Sequence, residues 1–137
     1  MKENEMYQNA LKVFSTVGLA RFLDMELIAV TEDECEISMP VDERHSNYID
    51  GLHGGAAAAL LDTAAFFPGA LLPSGRKLAT EGIEVHLFRP VPLGEKVYAL
   101  GKILRNGRRI VTVELKLRMS GGKQAAHALA TLVDIGE

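Results

Sequence analysis

The chain has 137 residues, a net charge of −3 and one cysteine, Cys35. That length suits a single domain over 1–137 with a core that needs no disulfide. A lone cysteine excludes an intramolecular disulfide and suits a reducing compartment, and the slight acidity argues against a nucleic-acid partner.

The first eighteen residues, "MKENEMYQNALKVFSTVG", carry two acids and no continuous apolar stretch of signal-peptide type, so a cytoplasmic protein is expected. Met6, Ala10, Val13, Phe14 and Val17 recur at helical spacing. They predict an amphipathic helix over 5–17, inside an N-terminal segment 1–20, with Gly18 as its stop. Two strands follow, over 27–30 and 35–39, around the turn residues Thr31 to Asp33. Cys35, Ile37 and Met39 alternate with Glu34, Glu36 and Ser38, which predicts one buried and one wet face and makes Cys35 a small core residue. Pro40 ends that strand.

A polar loop, "DERHSNYIDGLHGG", leads into a predicted helix over 53–67, broken by Pro68-Gly69. Four strands complete the chain, over 79–89, 97–104, 110–119 and 125–135. Ile83, Val85 and Leu87 share one face of the first. Val111, Val113, Leu115, Leu117 and Met119 alternate cleanly in the third. The last is apolar on both faces, with Ala126, Ala128 and Ala130 forming a small-residue face, so it belongs at the centre of a sheet or at an interface. "RNGRR" and "SGGK" read as hairpin turns. The pattern is α+β: an antiparallel sheet covering a nearly uncharged helix.

That helix raises a chemical question. From Gly54 through Gly75 the only charged residue is Asp62. A membrane span is excluded by Asp62, Pro68 and the glycines in a run of weakly apolar alanines. Asp62 has Ala58, Ala59, Ala65 and Phe66 at three and four residues' distance, so no helical neighbour neutralises it. Two readings stand: a buried carboxylate satisfied by a neighbouring loop, or a general base or nucleophile in a partly dehydrated pocket. His53-Gly54-Gly55 opens the same helix. The first N–H groups of a helix lack internal partners, and glycine lets a carbonyl oxygen reach them as in an oxyanion hole. The bland alternative is a tight turn or close helix–strand packing. Gly54 and Asp62 are eight residues apart, about 12 Å along one helix. One small reacting group therefore meets both only if Asp62 comes from a second subunit.

Asn47, Gly51, His53, Gly54, Gly55 and Asp62 form the pattern N-x3-G-x-H-G-G-x6-D without a gap. This resembles the hotdog-fold acyl-CoA thioesterases, in the PaaI-like branch of the 4-hydroxybenzoyl-CoA thioesterase superfamily. The later "HLFRPVPLGE" is similar to the family's strand-and-turn element. The resemblance spans about 27–133. It implies a curved antiparallel sheet wrapped around the long helix, with the sheets of a homodimer joined edge to edge and each active site at the interface. Dimers of dimers, a homotetramer, are expected.

By that resemblance the Gly54 N–H polarises the thioester carbonyl and Asp62 of the facing subunit activates water or attacks. Asn47 matches the position that orients substrate or water, and His53 a residue near the thioester sulfur. Thr80, ten residues before Pro90, falls where the branch carries a Ser or Thr that helps hold the water. Strict alternation puts Thr80 on the face opposite Ile83, Val85 and Leu87, unless Gly82 marks a bulge.

The implied substrate is an acyl-CoA, so coenzyme A arrives with the substrate and no separate cofactor is expected. Its phosphates call for basic groups, with Arg89 and Arg108 chosen ahead of Arg105 and Arg109. Gly55 and Phe66 join them as substrate contacts, although core packing also accounts for Phe66. His45 and His86 read as surface or structural residues, His127 as facing a strand surface. No histidine pair has metal-ligand spacing, and no metal is assigned. A non-catalytic acyl-CoA-binding module and an enoyl-CoA hydratase are the alternatives. The first leaves Asp62 unexplained, and the second lacks a His within ten residues after Asp62.

Overall fold

The clean alternation of Ile110–Met119 becomes strand β5 with those bounds in the computed structural model, which describes residues 2–72 and 75–136. Five further strands, β1 (Glu26–Val30), β2 (Glu34–Pro40), β3 (Leu78–Leu87), β4 (Lys96–Asn106) and β6 (Gln124–Asp134), complete one antiparallel sheet. Their order is β1-β2-β4-β5-β6-β3. The doubly apolar β6 lies between β5 and β3, as its composition requires, and β3 forms an edge.

One face of this sheet carries Ile37, Met39, Val97, Ala99, Val113, Leu115, Leu117, Ala128 and Ala130, all fully buried. Helix α3 (Gly54–Ala64) supplies Ala57, Leu60, Leu61 and Ala64 to the same core. Small residues set the spacing: a Cβ on Gly101 of β4 would lie 3.2 Å from the Ala64 carbonyl oxygen. Burial of these side chains, at roughly 25 cal/mol per Å² of apolar surface, is the main force holding helix to sheet. The wet face is not uniformly wet, because Ser38 is fully buried.

The N-terminal segment folds differently from expectation. Helix α1 (Glu3–Phe14) packs through Met6, Ala10 and Phe14, whereas Val13 is exposed. Ser15 and Thr16 hydroxyls donate back to the Lys12 and Val13 carbonyls at 2.7 Å and end the helix there. Gly18 does not simply stop it: residues 18–22 form a second short helix, α2 (Gly18–Phe22). Phe14 meets Phe67 edge-on at 5.4 Å, which anchors α1 beyond the C-terminal end of α3. Helix α3 itself ends at Ala64, three residues before the predicted Phe67, and a 3-10 turn over Gly69–Leu71 follows.

Candidate active site

The His-Gly-Gly sequence is explained by the first turn of α3. His53 is the N-cap residue, with extended backbone, and its ring Nδ1 accepts the Gly55 N–H at 2.8 Å. An accepting Nδ1 leaves the ring proton on Nε2. A Cβ on Gly55 would lie 3.0 Å from Nδ1 and 3.2 Å from Cε1 of that ring, so glycine there makes room for the cap. A Cβ on Gly54 would lie 3.0 Å from Leu87 Cδ1, where β3 ends. The expected role of Gly55 shifts accordingly: its N–H is occupied by His53. The Gly54 N–H, in contrast, finds no acceptor among the described residues.

Asn47 organises the loop that delivers His53. Its Oδ1 accepts the N–H groups of Ile49 and Gly51 at 3.0 and 2.9 Å, and its Nδ2 donates to the Leu52 carbonyl at 3.4 Å. Its backbone N–H also donates to Gly51 at 2.8 Å. The side chain expected to orient substrate or water is thus engaged with its own loop.

Eight residues further along α3, Asp62 is half-buried and faces β3. Thr80 Oγ1 donates to Asp62 Oδ1 at 2.6 Å. The objection from alternation is resolved by a bulge. Thr80 pairs with Leu132, Gly82 with Thr131 and Ile83 with Ala130, so the register shifts between Thr80 and Gly82. The extra residue puts Thr80 on the same inner face as Leu132, Ile83 and Ala130. Asp62 and Gly54 remain on one helix, about 12 Å apart along its axis.

The basic candidates are separated. Arg89 follows Leu87 at the Gly54 end, and its Nε donates to the Gln124 carbonyl at 3.1 Å. Exposed Arg108 sits in the β4–β5 hairpin, whose base pairs Asn106 with Val111 and, through Leu132, reaches Thr80. Ala126, opposite Leu87, and Leu132 lie six residues apart on β6, roughly 20 Å. Within one chain, therefore, Arg89 accompanies Gly54 and Arg108 accompanies Asp62. Phe66 is half-buried against the core one turn beyond Asp62.

A groove of about 280 Å³ lies beside the helix start, walled by Leu52, Ala57, Leu87, Phe88, Pro90 and Val91, with Arg89 at its rim. Sequence periodicity placed Leu87 on the inner face but not its contact with Gly54. A depression of about 210 Å³ on the sheet, lined by Glu34, Glu36, Lys102, Glu114 and Lys116, includes none of these residues.

Other reactive groups are settled by burial and pairing. The Cys35 thiol donates to the Ala64 carbonyl at 3.0 Å, and burial pushes it up to about 12, which suits a core residue. His127 bonds Glu114 at 2.9 Å and holds that carboxyl below the usual carboxylate range. His45 is fully buried and structural, while His86 is exposed. Among the described residues no three His, Cys, Asp or Glu side chains gather as metal ligands, and no helix is long and apolar enough to cross a membrane.

Residues 51–126 match the thioesterase superfamily, and the chain belongs to it. The activity class that membership carries is thioester hydrolysis. A putative esterase from Haemophilus influenzae is 33% identical over 111 residues, covering 80% of each chain. Acyl-coenzyme A thioesterase 13 from Mus musculus is 24% identical over 119 residues, covering 83% of this chain and 85% of that one. The E. coli PaaI protein from the phenylacetic acid degradation operon superposes with a TM-score of 0.89 at 21% identity, over 98% of this chain and 96% of that one. The sheet and its central helix are the hotdog fold.

Proposed function

We propose that the protein is an acyl-CoA thioesterase whose active site is shared between two subunits. The observation that carries this is the disposition of α3: an open N–H at Gly54 and, about 12 Å further along, a carboxylate held by Thr80. Neither end is a site by itself. Strand β3 lies at the sheet edge and runs from Thr80, beside Asp62, to Leu87, beside Gly54. Antiparallel pairing of this edge with the same edge of a second copy turns the Asp62 end of one subunit toward the Gly54 end of the other. The same operation brings Arg108 of one chain toward Arg89 of the other, so both serve one coenzyme A.

In that composite site the Gly54 N–H, at the positive end of the helix dipole, polarises the thioester carbonyl. Asp62 across the interface takes a proton from water as the water attacks the carbonyl carbon. Thr80 occupies Oδ1 and leaves Oδ2 to accept that proton. The tetrahedral intermediate collapses, the C–S bond breaks, and the proton passes to the departing thiolate, giving carboxylic acid and free coenzyme A. The His53 Nε2–H is oriented by its cap to meet the leaving sulfur. A thiolate is a fair leaving group, so one donor and one carboxylate suffice without a nucleophilic triad. The groove walled by Leu52, Leu87 and Phe88 takes the apolar part of the substrate.

The test is thiol release from aryl-, short-, medium- and long-chain acyl-CoAs by the wild type and by Asp62→Asn. Hydrolysis by the wild type, lost in the variant, is expected. Equal rates in both would overturn the mechanism. The dimer is the smallest unit this reading requires, and light scattering tells it from the expected tetramer.

A further inference from the structure

We infer that His45 is a positioning residue that locks the start of α3, and through it the Gly54 N–H, to the end of α2; this rests on the thioesterase reading for its kinetic consequence. His45 has no exposed surface. A buried imidazole needs both ring nitrogens satisfied. Its Nε2 lies 2.7 Å from the Leu23 carbonyl oxygen and donates to it. Its Nδ1 lies 3.1 Å from the Asp42 backbone nitrogen and 3.0 Å from Asp42 Oδ1, so Asp42 meets that edge of the ring with backbone and side chain.

The backbone of the same residue continues the chain of contacts. The His45 carbonyl accepts the His53 N–H at 2.7 Å, and His53 Nδ1 in turn accepts the Gly55 N–H. Among the described residues, His45 is thus the one bonded both to the α2 terminus and to the N-cap of α3. Arg44 supports the same junction from outside: its guanidinium donates to the Phe22 carbonyl at 2.9 Å and to Asp42 at 2.8 Å. The bridge between Ser46 and Leu52 closes the loop between His45 and His53. Since an oxyanion donor works only at a fixed distance from the developing charge, a small shift of the cap misplaces the donor, while most of the groove wall, from Leu87 to Val91 and Ala125, comes from outside the cap.

The experiment compares His45→Leu, which fills the space without hydrogen bonds, with His45→Gln, whose amide reaches the Leu23 carbonyl. Amide hydrogen exchange over 53–57 is followed by NMR in the full chain, and hydrolysis of hexanoyl-CoA and benzoyl-CoA is measured alongside. In His45→Leu, exchange over 53–57 should rise about tenfold or more while β4–β6 keep wild-type protection. The kcat should fall about tenfold with KM within about twofold, and His45→Gln should recover most of both losses. Uniform loss of protection across β4–β6, or unchanged exchange over 53–57, overturns the inference. Parallel changes in kcat and KM overturn it as well. If His45→Leu does not fold, His45→Asn replaces it, keeping an acceptor for the Asp42 N–H without reaching Leu23, with the same expectation. If the wild type hydrolyses neither ester, the function fails while the exchange data still decide the role of His45.

Discussion

Thr80 Oγ1 donates to Asp62 Oδ1 at 2.6 Å within one chain. A strand bulge and a helix face, far apart in sequence, meet in that bond. It gives the lone charge of α3 a partner that does not neutralise it. A hydroxyl fixes the carboxylate's orientation and brings no opposite charge to it.

Replacing Asp62 by Asn should lower kcat at least about 100-fold, the scale of a lost general base or nucleophile, while the fold survives. Thr80→Val should cost about tenfold, the equivalent of one hydrogen bond of about 1.4 kcal/mol, and Thr80→Ser should retain most activity. Steady-state thiol release with circular dichroism checks both. Full activity in Thr80→Val would show that Asp62 needs no holding.

Subunit mixing reads the shared site directly. Asp62→Asn and Gly54→Val should each be nearly inactive as homodimers. Co-refolded, they should regain about one working site per heterodimer, because one interface then joins an intact Gly54 to an intact Asp62. With subunit exchange confirmed by mass spectrometry, an inactive mixture would overturn the shared-site geometry.

The cap at His53 and the glycine at 55 should be energetically coupled. His53→Ala should destabilise by about 1 kcal/mol, a typical lost N-cap. Gly55→Ala gains about 1 kcal/mol of helix propensity but displaces the ring that its Cβ would meet at 3.0 Å, so its net effect should be near zero. In the His53→Ala background the same substitution should stabilise by about 1 kcal/mol. Urea melts of the four proteins give the cycle, and equal effects of Gly55→Ala in both backgrounds would remove the steric argument.

Cys35 should resist thiol reagents in the native state and react only on unfolding. Its thiol is buried, bonded to the Ala64 carbonyl and raised to about 12 by burial. In the unfolded chain it titrates near its ordinary value of about 8.5. The folded state therefore keeps a proton that the unfolded state releases, and stability should fall as pH rises from about 8.5 toward 12. Cys35→Ala should flatten that slope in thermal melts between pH 8 and 10, and fast labelling of the native wild type would contradict the burial.

Much of this was legible in the chain. Period-two alternation in 110–119 gave β5 to the residue, because one face is wet and the other dry. The double apolarity of 125–135 placed β6 inside the sheet. That Gly54 and Asp62 share one helix was legible from the uncharged run between them, and helix rise converts their eight residues into a distance. The N-terminal segment was less legible: Val13 matches the apolar spacing yet is exposed, and Gly18, whose place after an apolar-periodic run predicts a stop, opens a second helix. A short amphipathic pattern does not say where side-chain hydroxyls such as those of Ser15 and Thr16 will turn the chain.

By itself the sequence determined the uncharged helix, its one carboxylate, the glycines at its start and the strand pattern around it, since these follow from local spacing and polarity. Only the tertiary structure decided which glycine offers a free N–H, that Thr80 faces Asp62, and that Arg89 and Arg108 stand at opposite ends of the sheet. Each of these depends on register between strands or on a contact across the core. A one-residue bulge reverses the face of a side chain, and no periodicity read along the chain fixes where that residue is inserted.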